Sequence, residues 1–357
     1  MAGKTFMLMA AGTGGHIFPA LAVAQALRDR GQHVIWLGSD DSMESRIVPK
    51  YDIPLETLAV KGVRGNGLKR KLLLPFVLPK AVMKARRVIR RHRVSCVVGF
   101  GGFVTFPGGV AAGLSRVPLV IHEQNAVAGL SNRYLSRVAA KVLYAFPQAL
   151  GAEGVLVGNP VRAEIASLPV PGGRFAGREG PLKILAVGGS QGAQVLNELL
   201  PAALARLDRE GRPRVLHQSG RGRLEALEAA YRDAGVEAEC VEFIDDMASA
   251  YRDADLAVCR AGALTIAELT AAGLGALLVP YPYAVDDHQT ANARFMVQAD
   301  AGLLLPQARL TADRLAEVLA GLTRERCLAW AENARTLAVA DSAGMVAEIA
   351  MQSCGAS

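Results

Sequence analysis

The sequence predicts an α/β protein of two Rossmann-like domains, each a parallel sheet covered by helices. Short apolar runs alternate with helical patterns along the chain, which is typical of a parallel sheet with helices on both faces. Glycine-rich turns follow apolar runs at Gly12–His16, Gly99–Gly102 and Gly188–Gly192. The chain has 357 residues, of which 51% are hydrophobic, so two cores of ordinary domain size are expected.

The first domain is predicted at residues 1–163. Its strands are predicted from apolar runs at Thr5–Ala10, Val34–Leu37, Leu55–Val60, Cys96–Phe100, Leu119–His122 and Val142–Tyr144. Its clearest helices are Ala20–Arg30 and Pro79–His92, and Pro19 is expected in the first turn of the former. Residues 94–115 are uncharged and long enough to span a bilayer, but their glycines and Pro107 favour a strand, a turn and a helix start.

The second domain is predicted at residues 164–340. Proline and glycine are concentrated at residues 159–181, which predicts a linker. The pattern then restarts with strands at Lys183–Val187, Val215–Gln218, Cys240–Phe243, Leu256–Cys259 and Ala276–Val279, and with helices from Ala193 and at Ala263–Ala272, Gln289–Ala299 and Ala312–Leu322. The tail at residues 341–357 is predicted to form a last helix, Ser342–Met351, that packs back on the first domain.

Basic charge is concentrated in the first half of the chain. Residues 1–160 contain 21 Lys/Arg and 8 Asp/Glu, and no acidic residue occurs between Glu56 and Glu123. Residues 61–93 mix twelve Lys/Arg with apolar side chains, which suits an anionic membrane surface. A solvated basic helix face is the alternative. Nucleic acid is disfavoured as a partner, because Phe76 is the one aromatic residue in this stretch and no stacking platform is available.

The cysteines and the N-terminus favour a reducing compartment. The five cysteines show no paired spacing, which argues against disulfides and against a zinc site. The apolar run at Thr5–Ala11 is too short for a signal peptide and continues into the glycine turn. We therefore expect a cytoplasmic protein that visits a membrane surface.

The first glycine turn is a candidate site for phosphate and for catalysis. It does not fit a dinucleotide fingerprint, because the sixth position counted from Gly12 is Ile17 rather than glycine. Glycines at a helix start allow backbone N–H groups to approach a phosphate. His16 follows them, and the positive helix end favours its neutral, base-competent form. A histidine that only completes the turn is the alternative. The second turn, Gly99–Gly102, is either a tight strand-to-helix link or a site for a separate diphosphate.

A polar loop follows the predicted strand Leu119–His122. Its residues are His122, Glu123, Gln124 and Asn125, and polar residues at the carboxyl end of a parallel strand are typical of a binding loop. We interpret Asn125 as a ligand contact. We interpret Glu123 as the partner of a nearby arginine, with orientation of a base as the alternative.

The second domain has its own candidate residues. Small residues at Ala261–Ala263 follow a predicted strand and permit close approach of a phosphate, and Glu268 can accept hydrogen bonds from a ribose diol. Asp286 is interpreted as a helix N-cap and Asp287 as a favourable first-turn charge, with a sugar-binding role as the alternative. The segment Asp253–Asp255 matches a metal-binding Asp-x-Asp pattern, but it precedes a strand and is interpreted as surface. No metal or other cofactor is predicted, so the departing diphosphate would depend on helix dipoles.

Taken in order, these motifs resemble glycosyltransferase family 28, the peptidoglycan N-acetylglucosaminyltransferases. The residues that carry the resemblance are Gly12–His16, His122–Asn125, Gly158–Arg162, Gly188–Ala193 and Ala263–Glu268. The resemblance implies the GT-B architecture, in which two Rossmann-like domains face each other across a cleft, and a reaction without metal. It implies inverting transfer of GlcNAc from UDP-GlcNAc to the 4-hydroxyl of MurNAc in undecaprenyl-pyrophosphoryl-MurNAc-pentapeptide, by a peripheral enzyme on the cytoplasmic face of the inner membrane.

The resemblance also assigns roles to residues. It implies His16 as general base, with Glu123 as the second candidate. It implies that the backbone of Ile244 contacts uracil, that Glu268 binds ribose and that Gln289 reads the GlcNAc hydroxyls. The diphosphate is assigned to Ser190 and to the helix start that comprises Ala263, Leu264, Thr265, Ile266 and Ala267. Completion of the donor site from the other side of the cleft is assigned to Thr13, Gly14, Gly15, Asn125 and Arg162.

Other functions remain open at this point. One is another GT-B transferase that uses a UDP-sugar, or a UDP-GlcNAc 2-epimerase of the same architecture. Another is a nicotinamide-dependent oxidoreductase, which the absent third glycine disfavours. A non-catalytic scaffold that binds membranes is the third.

Overall fold

The computed structural model describes residues 3–59, 67–147, 149–150, 154–189 and 191–354, and of residues 67–76 only the backbone. The chain divides into two compact units, which we call unit 1 (Met1–Val161 with Val339–Ser357) and unit 2 (Arg162–Ala338). Within the described ranges, no helix is both long enough and apolar enough to cross a bilayer.

Unit 1 is built on a parallel sheet. Its strands are β1 (Thr5–Ala10), β2 (His33–Ser39), β3 (Leu55–Leu58), β4 (Val94–Gly101), β5 (Leu119–Glu123), β6 (Lys141–Tyr144) and β7 (Val155–Leu156). They lie in the order β3-β2-β1-β4-β5-β6-β7, and each neighbouring pair is parallel. The helices between them are α1 (Gly14–Asp29), α2 (Met43–Ile47), α3 (Gly67–Arg91), α4 (Thr105–Leu114) and α5 (Leu130–Leu135).

Unit 2 is built on a second parallel sheet. Its strands are β8 (Lys183–Val187), β9 (Arg214–Gln218), β10 (Glu239–Val241), β11 (Leu256–Cys259), β12 (Ala276–Leu278) and β13 (Gly302–Leu304), in the order β10-β9-β8-β11-β12-β13. Its helices are α6 (Ala163–Ala166), α7 (Pro171–Phe175), α8 (Gln194–Leu204), α9 (Leu224–Asp233), α10 (Met247–Asp253), α11 (Ala263–Ala272), α12 (His288–Gln298), α13 (Ala312–Ala320) and α14 (Arg324–Thr336). The chain then returns to unit 1 as α15 (Ser342–Ser353).

Strand β1 shows why the strands read as continuous apolar runs. Phe6 and Leu8 pack in a core with α1 and α15, whereas Met7 and Met9 pack in a core with α3 and α4 on the other face. Successive side chains of a strand point to opposite faces, so both sets are apolar where helices cover both faces. The prediction of two parallel α/β domains is confirmed.

The strand order of each unit reverses between two central strands, and this positions the glycine turns. In unit 1 the reversal lies between β1 and β4, and in unit 2 between β8 and β11. Ligands of open parallel sheets bind outside the carboxyl ends of the strands at such a reversal. The turns Gly12–His16 and Gly99–Gly102 follow β1 and β4, and Gly188–Gly192 follows β8.

Some sequence expectations need correction. Helix α1 begins in the glycine turn at Gly14, so Pro19 lies inside the helix rather than in its first turn. The residues predicted as a linker include α6 and α7, and buried Arg174 donates hydrogen bonds to the carbonyls of Tyr251, Ala272 and Gly273 at two helix C-termini. That segment is therefore part of the unit 2 core. Residues 94–115 form a strand, a turn and a helix as predicted.

The Asp-x-Asp segment is only partly at the surface. Asp253 is exposed, but Asp255 is fully buried and forms ion pairs with Arg178 and Arg324. Asp255 also accepts the backbone N–H of Lys183 at 2.9 Å. The surface interpretation was therefore wrong for Asp255, because a strand start beside two arginines can satisfy a buried carboxylate.

Candidate functional site

The first glycine turn fixes the imidazole of His16 at the start of α1. Its Nδ1 lies 3.2 Å from the carbonyl oxygen of Ala11 and 3.3 Å from Oγ1 of Thr13. Because a carbonyl oxygen only accepts, Nδ1 carries the proton in this contact, and the neutral ring then has its lone pair on Nε2. The side chain is half-buried, and Thr13 at the N-cap makes no side-chain hydrogen bond to the helix. This tautomer suits a general base.

The second glycine turn packs directly against the first. Gly101 has a φ of +105°, and a Cβ there would lie 2.9 Å from Nε2 of His16. Gly102 has a φ of +87°, and a Cβ there would lie 2.4 Å from the carbonyl oxygen of Ala11. The interpretation as a tight strand-to-helix link is therefore correct, and these two glycines make room for the imidazole. Diphosphate binding at this turn stays a prediction.

Glu44, which the sequence reasoning missed, lies beneath the first turn. Its carboxylate is buried and accepts the backbone N–H groups of Gly12 at 3.1 Å and Ser39 at 3.0 Å, and the hydroxyl of Ser39 at 2.7 Å. Burial raises the pKa of Glu44, but hydrogen bonds from Ser39 and Gly12 outweigh it and lower the pKa from its ordinary value. The first N–H of the turn is therefore held internally. No sequence signal identifies this pairing, because it joins residues 32 positions apart.

The loop His122–Asn125 is organised by Glu123. The Glu123 carboxylate is 2% exposed and accepts hydrogen bonds from the backbone of Asn125 at 3.0 Å, the backbone of Gly129 at 3.0 Å and the side chain of Asn132 at 2.9 Å. Among the described residues no arginine pairs with it, so the expected arginine partner was wrong. A carboxylate enclosed by amide donors is poorly placed to accept a substrate proton. Asn125 is half-buried at the rim of this loop.

The same loop is bonded to the motif Gly158–Arg162. Nε2 of His122 donates to the carbonyl oxygen of Gly158 at 2.9 Å, and Nδ2 of Asn159 donates to the carbonyl oxygen of Gln124 at 3.0 Å. Nε2 of Gln124 donates to Nδ1 of His122 at 3.1 Å, which completes a neutral imidazole. Burial lowers the pKa of His122 to about 4, although the bond to Gly158 opposes this shift. His122 is therefore a structural residue of the loop.

In unit 2 the turn Gly188–Gly192 is held by Gln218, a second residue that the sequence reasoning missed. Nε2 of Gln218 donates to the carbonyl oxygen of Gly189 at 3.2 Å, and Oε1 accepts the backbone N–H of Ile244 at 3.0 Å. One buried amide thus ties the phosphate-type turn to the segment assigned to uracil. Ser190, which the resemblance assigns to the diphosphate, lies outside the described residues.

The start of α11 presents N–H groups to the same end of the sheet. Gly262 occupies its N-cap in an extended conformation, without a side-chain cap. Ile266 already donates to the carbonyl oxygen of Gly262 at 2.9 Å, so the N–H groups of Ile266 and Ala267 belong to the helix. The donors ahead of that first intrahelical bond are those of Ala263–Thr265. This geometry is typical of an anion site.

Glu268 lies one turn further along α11 and is paired within unit 2. Its Oε1 is 3.0 Å from Nη2 of Arg162, and its Oε2 accepts the hydroxyl of Tyr251 at 3.1 Å. Burial raises the pKa of Glu268, and Arg162 and Tyr251 oppose this shift. The structure thus places Arg162 in unit 2 beside the predicted ribose ligand, rather than with the donor residues of the first domain.

The start of α12 differs from the prediction in its aspartates. Asp286 and Asp287 are both left-handed, with φ of +53° and +50°, and neither side chain caps the helix backbone. Asp287 instead accepts the hydroxyl of Thr290 at 2.7 Å. The N-cap interpretation of Asp286 was therefore wrong. Gln289, in the first turn, is half-buried and accepts the backbone N–H of Tyr281 on Oε1 at 2.9 Å.

Comparison with known proteins places the chain among glycosyltransferases. The model of the glycosyltransferase family 28 N-terminal domain matches residues 6–144, and that of the C-terminal domain matches residues 183–346. A protein of Neisseria meningitidis serogroup A is 74% identical over 351 residues, which cover 98% of this chain and 99% of that protein. A protein of Aromatoleum aromaticum is 55% identical over 346 residues, which cover 97% of each.

Both relatives are named UDP-N-acetylglucosamine–N-acetylmuramyl-(pentapeptide) pyrophosphoryl-undecaprenol N-acetylglucosamine transferase. Among solved structures, the crystal structure of Acinetobacter baumannii MurG superposes with a TM-score of 0.88 at 43% identity, and the match covers 98% of this chain and 99% of that one.

Proposed function

The chain belongs to glycosyltransferase family 28, and we propose that it transfers N-acetylglucosamine from UDP-GlcNAc to undecaprenyl-pyrophosphoryl-MurNAc-pentapeptide, as the names of its relatives state. The observation that carries this proposal is identity of 74% across almost the whole chain to a protein with that name. The family resemblance drawn from the ordered motifs is thereby confirmed, as is the GT-B fold class. The oxidoreductase and scaffold alternatives are set aside, because they belong to other families.

The reaction is a single displacement at the anomeric carbon. The 4-hydroxyl of MurNAc attacks, the bond from the anomeric carbon to the diphosphate oxygen breaks, and UDP leaves with inversion. We assign proton removal to Nε2 of His16, because Ala11 and Thr13 hold the opposite ring nitrogen. Glu123 is the weaker candidate, since amide donors already occupy its carboxylate.

The donor residues of unit 2 have distinct supporting contacts. Gln218 already accepts the N–H of Ile244, so the carbonyl of Ile244 is the backbone group left for the N3–H of uracil. The N–H groups of Ala263–Thr265 suit the diphosphate, whose charge grows as UDP departs. Glu268 is held by Arg162 and Tyr251 with oxygen lone pairs still available to a ribose diol.

The remaining donor contacts are proposed with less detail from the structure. Oε1 of Gln289 is occupied by Tyr281, which leaves the amide NH₂ to donate to a GlcNAc hydroxyl. Thr13, Gly14, Gly15 and Asn125 belong to unit 1 at the turn and loop that surround His16.

Docking on the cytoplasmic face of an anionic membrane is proposed for α3. Lys80, Lys84, Arg87, Arg90 and Arg91 are exposed along this helix. Val77 and Met83 are exposed between them, as expected for a helix that lies at a lipid surface. The part of the basic stretch at residues 61–66, and the side chains of residues 67–76, lie outside the described residues.

The direct test measures UDP release from UDP-GlcNAc with and without a lipid-linked muramyl-pentapeptide acceptor. We expect UDP release only when the acceptor is present, with one GlcNAc added to the acceptor for each UDP released. Conversion of the sugar without acceptor would instead support an epimerase. Transfer to acceptors without a muramyl group would support another UDP-sugar transferase.

A further inference from the structure

We propose that a cavity at the C-terminal ends of α3 and α4 binds the phosphodiester group of an anionic phospholipid. The inference rests on the proposed membrane docking of α3 and assigns it a defined headgroup site. The cavity has a volume of about 500 Å³, within the range of small-ligand sites. Its lining includes the arginines Arg86, Arg90, Arg93 and Arg116, together with Ser115 and Leu114.

The cavity is separate from the glycine turns. Strand β4 begins at Val94, which lines the cavity, and ends at Gly101, which contacts His16. Seven residue steps of about 3.3 Å place these ends roughly 23 Å apart. The cavity therefore lies at the opposite edge of the unit 1 sheet from the site assigned to catalysis.

The charge of the cavity is uncompensated by protein groups. Among the described residues, none of the four arginines forms an ion pair, whereas neighbouring Arg91 pairs with Glu56 at 3.2 Å. Like charges around one cavity repel each other, and a bound anion removes that repulsion. Helix C-termini carry partial negative charge and account for part of the preference for arginine here, but that charge is small compared with four guanidinium groups.

Two buried polar atoms of this cavity lack a partner. Nε of Arg86 and Oγ of Ser115 are both buried and have no hydrogen-bond partner. An unsatisfied buried polar atom costs about 1–3 kcal/mol, so such atoms normally indicate a missing ligand. One donates an N–H and the other a hydroxyl, which are the donors that a phosphate oxygen accepts.

The backbone also supports a binding role for the two arginines that follow the helices. Arg93 and Arg116 come just after α3 and α4 and have φ of +48° and +54°. Glycine is the usual residue at this position after a helix, because an L side chain is strained there. Each position thus carries an arginine at a conformational cost.

The surroundings favour a lipid over a soluble anion. Leu114 lines the cavity and is 54% exposed. Met83 is also exposed and lies on the same face of α3 as Arg86 and Arg90, at spacings of three and four residues. Apolar side chains beside a phosphate site fit a headgroup with its acyl region adjacent, and they offer nothing to free phosphate.

The test compares two double variants of the full chain in co-sedimentation with vesicles. Arg93→Ala/Arg116→Ala removes two charges from the cavity, and Lys80→Ala/Lys84→Ala removes two charges from α3 outside it. Vesicles of phosphatidylglycerol with phosphatidylcholine are compared with pure phosphatidylcholine at fixed ionic strength. We expect the cavity variant to lose at least tenfold more affinity for the anionic vesicles than the control variant does.

A charge-conserving pair sharpens this test. Arg93→Lys/Arg116→Lys keeps the net charge but removes the planar two-pronged donors that grip a phosphate. We expect it to bind anionic vesicles several-fold more weakly than the unaltered chain. Equal affinity of the lysine pair and the unaltered chain, or equal loss in both alanine pairs, would indicate diffuse attraction and overturn the proposed site.

Soluble anion and enzymatic function are measured separately. Inorganic phosphate is added to the unaltered chain and to the alanine cavity variant, and thermal unfolding is followed. Stabilisation of the unaltered chain alone by phosphate, without cavity-dependent vesicle binding, would assign the cavity to a soluble anion and overturn the lipid proposal. Transfer to a water-soluble muramyl acceptor tests the proposed function, since its absence contradicts that function regardless of vesicle binding.

Discussion

The carboxylate of Glu44 accepts the backbone N–H of Gly12 at 3.1 Å, and this bond anchors the turn that carries His16. Glu44 also accepts the N–H and hydroxyl of Ser39, so one side chain joins α2, the end of β2 and the first glycine turn. A turn rich in glycine is intrinsically flexible, and a buried ionised carboxylate restricts it. Glu44 is thus a positioning residue for the proposed base.

Glu44→Ala is expected to lower kcat and stability together. Loss of the carboxylate leaves buried N–H groups of Gly12 and Ser39 unsatisfied, which costs about 1–3 kcal/mol. We expect kcat to fall about tenfold or more as His16 loses its fixed position. Glu44→Gln keeps an acceptor and should recover part of kcat. An unchanged kcat in a destabilised Glu44→Ala variant would leave Glu44 with a structural role only.

His16→Ala is expected to lower kcat by on the order of 10²-fold or more, the usual scale for loss of a general base. Affinity for UDP-GlcNAc, measured by calorimetry, should change little, because the assigned nucleotide contacts lie in unit 2. His33→Ala, at an exposed position at the start of β2, is a control that should keep full turnover. Wild-type turnover in His16→Ala would remove His16 from the mechanism.

Glu268→Gln is expected to raise the KM for UDP-GlcNAc roughly tenfold or more, because it weakens a charge-assisted contact to ribose and leaves Arg162 without its ion-pair partner. Tyr251→Phe removes one hydrogen bond to Glu268 but keeps the carboxylate, so its effect on KM should be smaller. Initial rates at varied UDP-GlcNAc separate KM from kcat. A larger effect of Tyr251→Phe than of Glu268→Gln would contradict the assignment of Glu268 to ribose.

Stability is expected to fall as the pH drops below the ordinary histidine range. Burial lowers the pKa of His122 and of His217 to about 4, from an ordinary value of 6.5. The unfolded chain therefore binds more protons between these values, so the stabilisation is complete above pH 6.5 and is lost as the pH falls towards 4. Each histidine should account for about 2 kcal/mol between pH 7 and pH 5.

Denaturant unfolding at several pH values checks this expectation. His217→Gln removes one titrating group and should flatten the pH dependence between pH 7 and pH 5. His33→Gln, at an exposed position, serves as the control and should leave the dependence unchanged. Parallel curves for His217→Gln and the unaltered chain would show that His217 titrates normally in the fold.

Combined neutralisation of Arg86, Arg87, Arg90 and Arg91 is expected to weaken binding to anionic vesicles, by about 1 kcal/mol for each charge near the surface. Added salt should weaken binding of the unaltered chain in the same direction, because exposed charges are screened. Co-sedimentation at several salt concentrations measures both effects. If the quadruple variant binds as well as the unaltered chain, the docking face lies elsewhere on the protein.

Most element positions were predictable because they depend on local patterns. Strands Thr5–Ala10, Lys183–Val187 and Leu256–Cys259 and helix Ala263–Ala272 have the predicted bounds. Apolar runs of strand length between glycine turns leave little ambiguity when both faces of a sheet are covered. The start of α1 was missed because glycine is a poor helix former, although the N-terminal turn of a helix tolerates it.

The partners of polar residues were much less predictable. Glu123 was expected to pair with an arginine and instead holds backbone and side-chain amides, and Asp255 was expected at the surface and is buried. Such pairings join residues far apart in the chain, so spacing carries no information about them. Glu44 and Gln218 were missed for the same reason.

The chain's local chemistry alone therefore specified two parallel sheets, their glycine turns and the family to which they belong, because backbone preferences and hydrophobic periodicity act between near neighbours. Folding in three dimensions settled which side chains restrain those turns, since burial obliges each polar atom to find a partner wherever the fold brings one. The arginine cavity illustrates the second case. Residues 86–93 and 114–117 meet only because β4 lies between α3 and α4 in the chain, and their charges acquire a common purpose once packed side by side.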